Sequence, residues 1–219
     1  KISEDFELAG EDHIKGYLLI HQPHVVGKSM TIKLTPIRVV CNNTLTFALG
    51  EKGTASFRMP HVKEFGVDVM EAAEEALGLS AQKMSKFKEA AEFLSNKKAK
   101  HPQFLDFVGE LYQPNTMLTY RHEAKLKAEG KLIGEQAPLI EQFNKYPKLV
   151  VDALEQQPGA NLASSKGTWW GALNAVTYVE DHLRESHEKG NSLHSSWFGV
   201  AANRKAKALD LAIKYAETA

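Results

Sequence analysis

Apolar positions change their spacing near residue 62: short β-branched runs come before it, and recurrences every three to four residues come after it. Tyr17-Leu18-Leu19-Ile20 and Ser29-Met30-Thr31-Ile32-Lys33-Leu34-Thr35 predict two strands, separated by the turn-forming His21-Gln22-Pro23-His24 and Gly27-Lys28. Pro36 interrupts the second run and predicts an edge or a bulge rather than a central strand. Ile37-Arg38-Val39-Val40-Cys41 resumes it. Asn42-Asn43 reads as a helix N-cap or a tight turn, and Thr44–Leu49 as a short helix closed by Gly50. Thr54–Met59 predicts a further strand, stopped by Pro60.

Beyond that point the pattern is helical. Val62–Leu77 carries Val69, Ala73 and Leu77 on one face, with Gly78 as its C-cap. Ser80 caps a second helix that runs to about Asn96 and turns Met84, Phe87, Ala91 and Leu94 inward. Residues 102–112 and 120–130 read as shorter helices around Pro114-Asn115, and Gln136–Gln156 as a helix broken or kinked at Tyr146-Pro147. Thr168–Glu188 and Trp197–Glu217 are the last two. In the first of these, Trp169, Leu173, Val176, Val179 and Leu183 form an apolar stripe, and Asn174, Tyr178, Asp181 and His182 a polar one beside it. Such a helix is either a core element with satisfied polar groups or one wall of a site. The fold class is α+β: a small antiparallel sheet in the N-terminal third followed by a mostly helical C-terminal part. Residues 1–62 and 63–219 read as the β-rich and helical parts of a single domain.

Composition narrows the function classes. Lys+Arg and Asp+Glu both number 27 in the 219 residues, so no global field favours nucleic acid and any such binding must rest on local patches. Cys41 is the sole cysteine, which excludes an internal disulfide and a multi-cysteine zinc site and suits a reducing cytoplasm. No apolar run approaches the roughly 18 residues of a membrane span. Together these give the expectation of a cytoplasmic protein with no membrane partner.

The catalytic signals are thin. Asp181, His182, Glu185 and His187 supply two ligands on one helical face but no zinc-like partner cluster, and a His against the helix dipole explains the grouping equally well. Cys41 ends an apolar run, the setting of a buried structural thiol. Phosphate-cradling loops, nucleophile elbows and paired-carboxylate motifs are absent. No cofactor and no metal is expected, and the balance leans away from an enzyme.

Basic residues do cluster, at Lys83, Lys86, Lys88, Lys97, Lys98 and Lys100, at Arg121, Lys125, Lys127 and Lys131, and at Arg204, Lys205 and Lys207. Each run is interleaved with aromatic residues, the mixture of a single-strand-binding groove. A solvated face balanced by Glu89, Glu92 and Glu123 is the competing interpretation. Arg38, Lys83, Lys86, Arg121, Lys125, Arg204 and Lys205 are the phosphate-contact candidates, and Trp169 and Tyr178 the stacking candidates.

Three runs follow one another in a telling order: Thr35-Pro36-Ile37-Arg38-Val39-Val40-Cys41-Asn42-Asn43-Thr44-Leu45; Gly167-Thr168-Trp169 with Asn174-Ala175-Val176-Thr177 and Asp181-His182; and Phe198-Gly199 with Lys205-Ala206-Lys207-Ala208-Leu209. In this order the chain resembles the phage/plasmid-like protein family over essentially its whole length. That family is of unknown function and is encoded mainly on phages, plasmids and other mobile elements. Its members usually carry a further N-terminal region, so the resemblance, with a chain that begins at Lys1, implies that this region is missing here. Where the family commonly has His-Thr, this chain has His61-Val62. The resemblance, together with a likeness in outline to phage single-strand annealing proteins, implies a protein that binds or anneals single-stranded DNA in recombination or replication as a homo-oligomer. The alternatives are an enzyme or host-interference factor built on Cys41, Asn43, His61, Asn174, Asp181 and His182, and a self-assembling structural protein. In this setting the polar stripe of residues 174–182 reads as holding neighbouring backbone rather than performing chemistry.

Overall fold

The computed structural model describes residues 5–21, 29–45, 56–60, 67–112, 137–184 and 199–218. Five antiparallel strands, β1 (Phe6–Leu8), β2 (Asp12–His21), β3 (Ser29–Arg38), β4 (Asn43–Thr44) and β5 (Ser56–Pro60), form one sheet. It is followed by helices α1 (Val67–Asn96), α2 (His101–Tyr112), α3 (Ala137–Gln156), α4 (Trp169–Tyr178) and α5 (Val200–Glu217). The architecture is α+β, with the sheet N-terminal and the helices behind it.

The sheet runs β1-β2-β3, and the far side of β3 carries β5 at one end and β4 at the other. Pro36 therefore lies in the central strand, contrary to the edge or bulge that its presence predicts. The exception has a local cause. Leu45 N donates to the Pro36 carbonyl at 2.8 Å, so Pro36 turns its peptide groups toward the β4 side, in the gap between the β5 pairing at 29–33 and the β4 pairing at 37–38. The ring forfeits only the reciprocal bond to the Leu45 carbonyl, at the end of the short β4 pairing, and none to β2. Register pairs Ile14 with both Phe6 and Arg38, and Arg38 with Asn43. Phe6, Leu8, Asp12, Ile14, Leu34, Arg38 and Asn43 consequently share the buried face.

Four other expectations change. Residues 39–42 form a tight turn with Asn42 at φ 53°, and Asn43–Thr44 is strand β4 rather than the start of a short helix. Gly78 and Ser80 do not divide two helices: α1 is continuous across them, because a helical glycine costs only about 1 kcal/mol and buried Met84, Phe87, Ala91 and Leu94 outweigh it. Of the break or kink expected at Tyr146-Pro147 the break does not occur: α3 runs through Pro147, with buried Val150 and Ala153 one and two turns on. The helix expected over 168–188 starts on its Thr168 N-cap but leaves α geometry after Tyr178 for a π turn, Val179–Leu183. Residues 46–50, 61–66, 113–136 and 185–198, with the helix expected over 120–130 and His61, Arg121, Lys125 and Trp197, lie outside the described residues.

Helix α4 is the centre of the core. Residues 169–177 are all buried, and α1, α3 and α5 pack on it. Trp169 meets the Phe107 ring edge-on at 5.6 Å and Tyr215 at 5.4 Å; Trp170 meets Phe87 at 6.2 Å, and Phe87 in turn meets Phe6 of β1. One apolar cluster thus includes sheet residues Phe6, Leu8, Ile14 and Leu34 together with residues of all five helices.

Candidate functional site

Between the sheet and the helices lies a layer of buried charge. Its first half is built on Asp12 of β2 and Arg38 of β3. Arg38 Nε donates to Asp12 Oδ1 at 2.8 Å and Nη2 to Oδ2 at 2.8 Å, a bidentate pair with neither side chain exposed. The loop ahead of α4 closes over it: Arg38 Nη2 also donates to Ser165 Oγ at 2.7 Å and to the Gly159 carbonyl at 3.2 Å. Asp12 Oδ2 accepts from Ser164 Oγ at 2.7 Å and Trp170 Nε1 at 2.9 Å. Gly159 sits at φ +77°, and a Cβ there would touch Val40 and the Arg38 guanidinium.

The second half hangs on the π turn. Asp181 Oδ2 accepts from Thr44 N at 2.7 Å and from Thr44 Oγ1 at 2.8 Å, tying β4 to the helices. Lys205 of α5 is fully buried and donates to Thr44 Oγ1 at 2.6 Å and Asp181 Oδ1 at 2.7 Å. Burial holds the Lys205 pKa below the usual lysine range, against the opposing pull of Asp181 and Glu180. Glu180 faces the other way. It accepts from Tyr112 Oη at 2.9 Å, Arg184 Nη1 at 2.7 Å and Arg204 Nη1 at 2.9 Å, and the Arg204 guanidinium lies over the Tyr112 ring. Burial pushes the Glu180 carboxyl above its ordinary value, against the lowering effects of Arg184, Tyr112 and Lys205. Between the two halves, Asn43 Nδ2 donates to Thr177 Oγ1 at 2.9 Å and to the Asn174 carbonyl at 3.2 Å.

The layer collects residues from all three runs of the resemblance: Arg38, Asn43 and Thr44; Asn174, Thr177 and Asp181; and Lys205. Among the described residues most of its side chains are closed off from solvent. Arg38 and Lys205 are fully buried, and Arg204 is bonded to Glu180 on one side and stacked on Tyr112 on the other. Trp169 is wholly inside the core, and the half-buried Tyr178 ring lies 5.0 Å from that of His182. Cys41 is buried and its thiol pKa is raised by burial, the setting of an inert thiol. His182 is exposed, one residue beyond Asp181. No group of three His, Cys, Asp or Glu side chains among the described residues could hold a metal ion. Among the same residues no helix is long and apolar enough to cross a membrane. Sequence reading passed over Asp12, Glu180, Ser164 and Ser165. Asp12 alone had a usable signal, since it shares strand parity with buried Ile14.

Cations also gather elsewhere. On α1, Lys83, Lys86, Ala90, Phe93 and Lys97 follow one another at steps of three and four, a stripe flanking the buried face. Ser85, Glu89, Glu92 and Asn96 make the adjoining stripe, with Lys88 and Glu92 paired at 3.9 Å. The basic stripe runs into a corner. Ala99 N donates to the Gly167 carbonyl at 3.0 Å and Trp169 N to the Lys97 carbonyl at 3.0 Å, an antiparallel bridge between Lys98 and Thr168. Its register brings Lys166 alongside Lys98 and Lys100, all three exposed, at the N-terminus of α2.

The family model described as Domain of unknown function (DUF932) matches residues 1–208, and the chain belongs to that family. No curated protein and no solved structure matches it.

Proposed function

We propose that this member of the DUF932 family is a nucleic-acid-handling protein of phages, plasmids and related mobile elements. It binds or anneals single-stranded DNA in recombination or replication, as a homo-oligomer in the host cytoplasm. The observation that carries this reading is the row of lysines along α1 and its continuation at the start of α2. Lys83, Lys86 and Lys97 line one stripe of the helix over roughly 20 Å and continue into Lys98, Lys100 and Lys166, with Glu89 and Glu92 on the adjoining stripe. A row of ammonium groups on a rigid helix suits a linear polyanion, and the positive end of the α2 dipole adds to it. Arg38 and Lys205, locked in internal ion pairs, serve the reading as scaffold beneath that surface.

The test is a fluorescence-anisotropy titration with a labelled single-stranded oligonucleotide at several salt concentrations. Affinity should fall steeply with salt, by roughly 0.7 in the log–log slope per phosphate neutralised. The combined Lys98→Ala, Lys100→Ala and Lys166→Ala variant should flatten that slope by about 2. Failure to bind at low salt, or binding indifferent to salt, would sink the reading. Light scattering with and without the oligonucleotide reads the assembly state in the same samples.

A further inference from the structure

We infer that Phe93 is a stacking platform for an unpaired nucleobase, which would make the basic stripe selective for single strands. The inference rests on the nucleic-acid reading above and adds to it the residue that contacts the base. Phe93 sits on the cationic stripe, one turn after Ala90 and one turn before Lys97. Its ring is half-buried and packs against the core from beneath, so it is held firmly. On the ring, Lys97 Nζ lies 5.5 Å from the centroid. That face meets an ammonium group on a flexible stem rather than the close-packed interior.

Ala90, at the i−3 position, has no side chain beyond Cβ to crowd the same face. A planar base can therefore take the place of Lys97 over the ring, and the displaced ammonium remains within reach of the phosphate attached to that base. Lys98 and Lys100 then follow along the backbone. The aromatic residues that the sequence favoured for this role are placed differently: Trp169 is fully buried, and Tyr178 has its ring against His182. A duplex keeps its bases stacked and paired, so it can use the lysines but not the ring. A phenyl ring does not read the sugar, so DNA and RNA single strands should depend on it equally.

The experiment compares the wild-type chain with Phe93→Leu and Phe93→Tyr. Each is titrated by anisotropy with a single-stranded DNA, a single-stranded RNA and a duplex DNA of one sequence, at two salt concentrations. Phe93→Leu should bind both single strands about ten-fold more weakly, with an unchanged salt slope and unchanged duplex affinity, and Phe93→Tyr should bind like wild type. Full single-strand affinity in Phe93→Leu, or an equal loss for single strands and duplex, overturns the inference. So does weakened binding by Phe93→Tyr, whose ring is intact. Should the lysine triple variant lose its salt-dependent affinity while Phe93→Leu binds normally, the stacking role fails alone and the basic stripe stands. Absence of binding by the wild-type chain removes both.

Discussion

Arg38 shows how much a residue's partners change its meaning. In the sequence it is a cation in a β-branched run, open to a phosphate; in the structure it is a fully buried side chain bonded to Asp12 and Ser165. Strand parity, combined with an aspartate on the same parity of the neighbouring strand, held that outcome, but the pairing register between residues 12–14 and 38 is set in three dimensions. Breaking such a pair strands a charge in the interior. Arg38→Met should lower the unfolding free energy by about 3–5 kcal/mol, and adding Asp12→Leu should recover part of that loss, a coupling that a urea-denaturation double-mutant cycle reads directly. Strictly additive losses would mean that the pair contributes nothing beyond its two residues. Glu180 predicts a pH dependence. Burial raises its carboxyl above the ordinary 4.5, so just above that pH the folded chain retains a proton that the unfolded chain has released. Its contribution is full below the unfolded value and is lost as pH climbs through the raised folded one. Urea midpoints measured from about pH 4 upward should therefore decline for wild type relative to Glu180→Gln, and parallel curves would contradict this.

Elements were legible where packing agrees with local preference. The strands at 17–20 and 29–35, the helix over 102–112 and the start of a helix at residues 168–169 all follow from pattern. The errors share one cause. Gly78 and Pro36 are read locally as punctuation, and each lies inside a continuous element, because the burial that follows from Met84 onward, or a place at the end of the β4 pairing, offsets the cost of breaking the rule. The π turn left no trace at all: Trp169, Leu173, Val176, Val179 and Leu183 keep α spacing across it, and only the bonds of Glu180 and Asp181 to partners on different sides show why the register changes there. Two helical glycines separate local propensity from packing. Gly109 of α2 has open space where a Cβ would sit, and Gly109→Ala should stabilise the protein by roughly 1 kcal/mol. A Cβ on Gly171 of α4 would overlap the Ser165 carbonyl, so Gly171→Ala should instead cost about 2 kcal/mol. Thermal melts of the two variants should shift in opposite directions, and matching shifts would show that the loop before α4 yields freely.

At the scale of the whole molecule, the charged layer couples the sheet to the helices. Asp12 and Arg38 on β2 and β3 are bonded to Trp170 and to the 159–165 loop, and Thr44 on β4 is bonded through Asp181 to Lys205 on α5. The apolar cluster crosses the same boundary, with Phe6 against Phe87 and Phe87 against Trp170. Neither part can leave the other without exposing both buried ions and aromatic rings, so the two should unfold together. The chain carries its own reporters for this. Cys41 is its single cysteine, buried in the turn that joins β3 to β4, while Trp169 and Trp170 lie deep in the helical half. Thiol labelling in urea therefore follows the sheet, and the emission of Trp169 and Trp170, read in a Trp197→Phe background, follows the helices. The two curves should share one midpoint in that background. Arg38→Met should move both midpoints down by the same amount, because the side chain it removes bonds to both halves. If Cys41 became reactive at a urea concentration where tryptophan emission is still native, the layer would be a contact between separately folding parts rather than the join that makes them one.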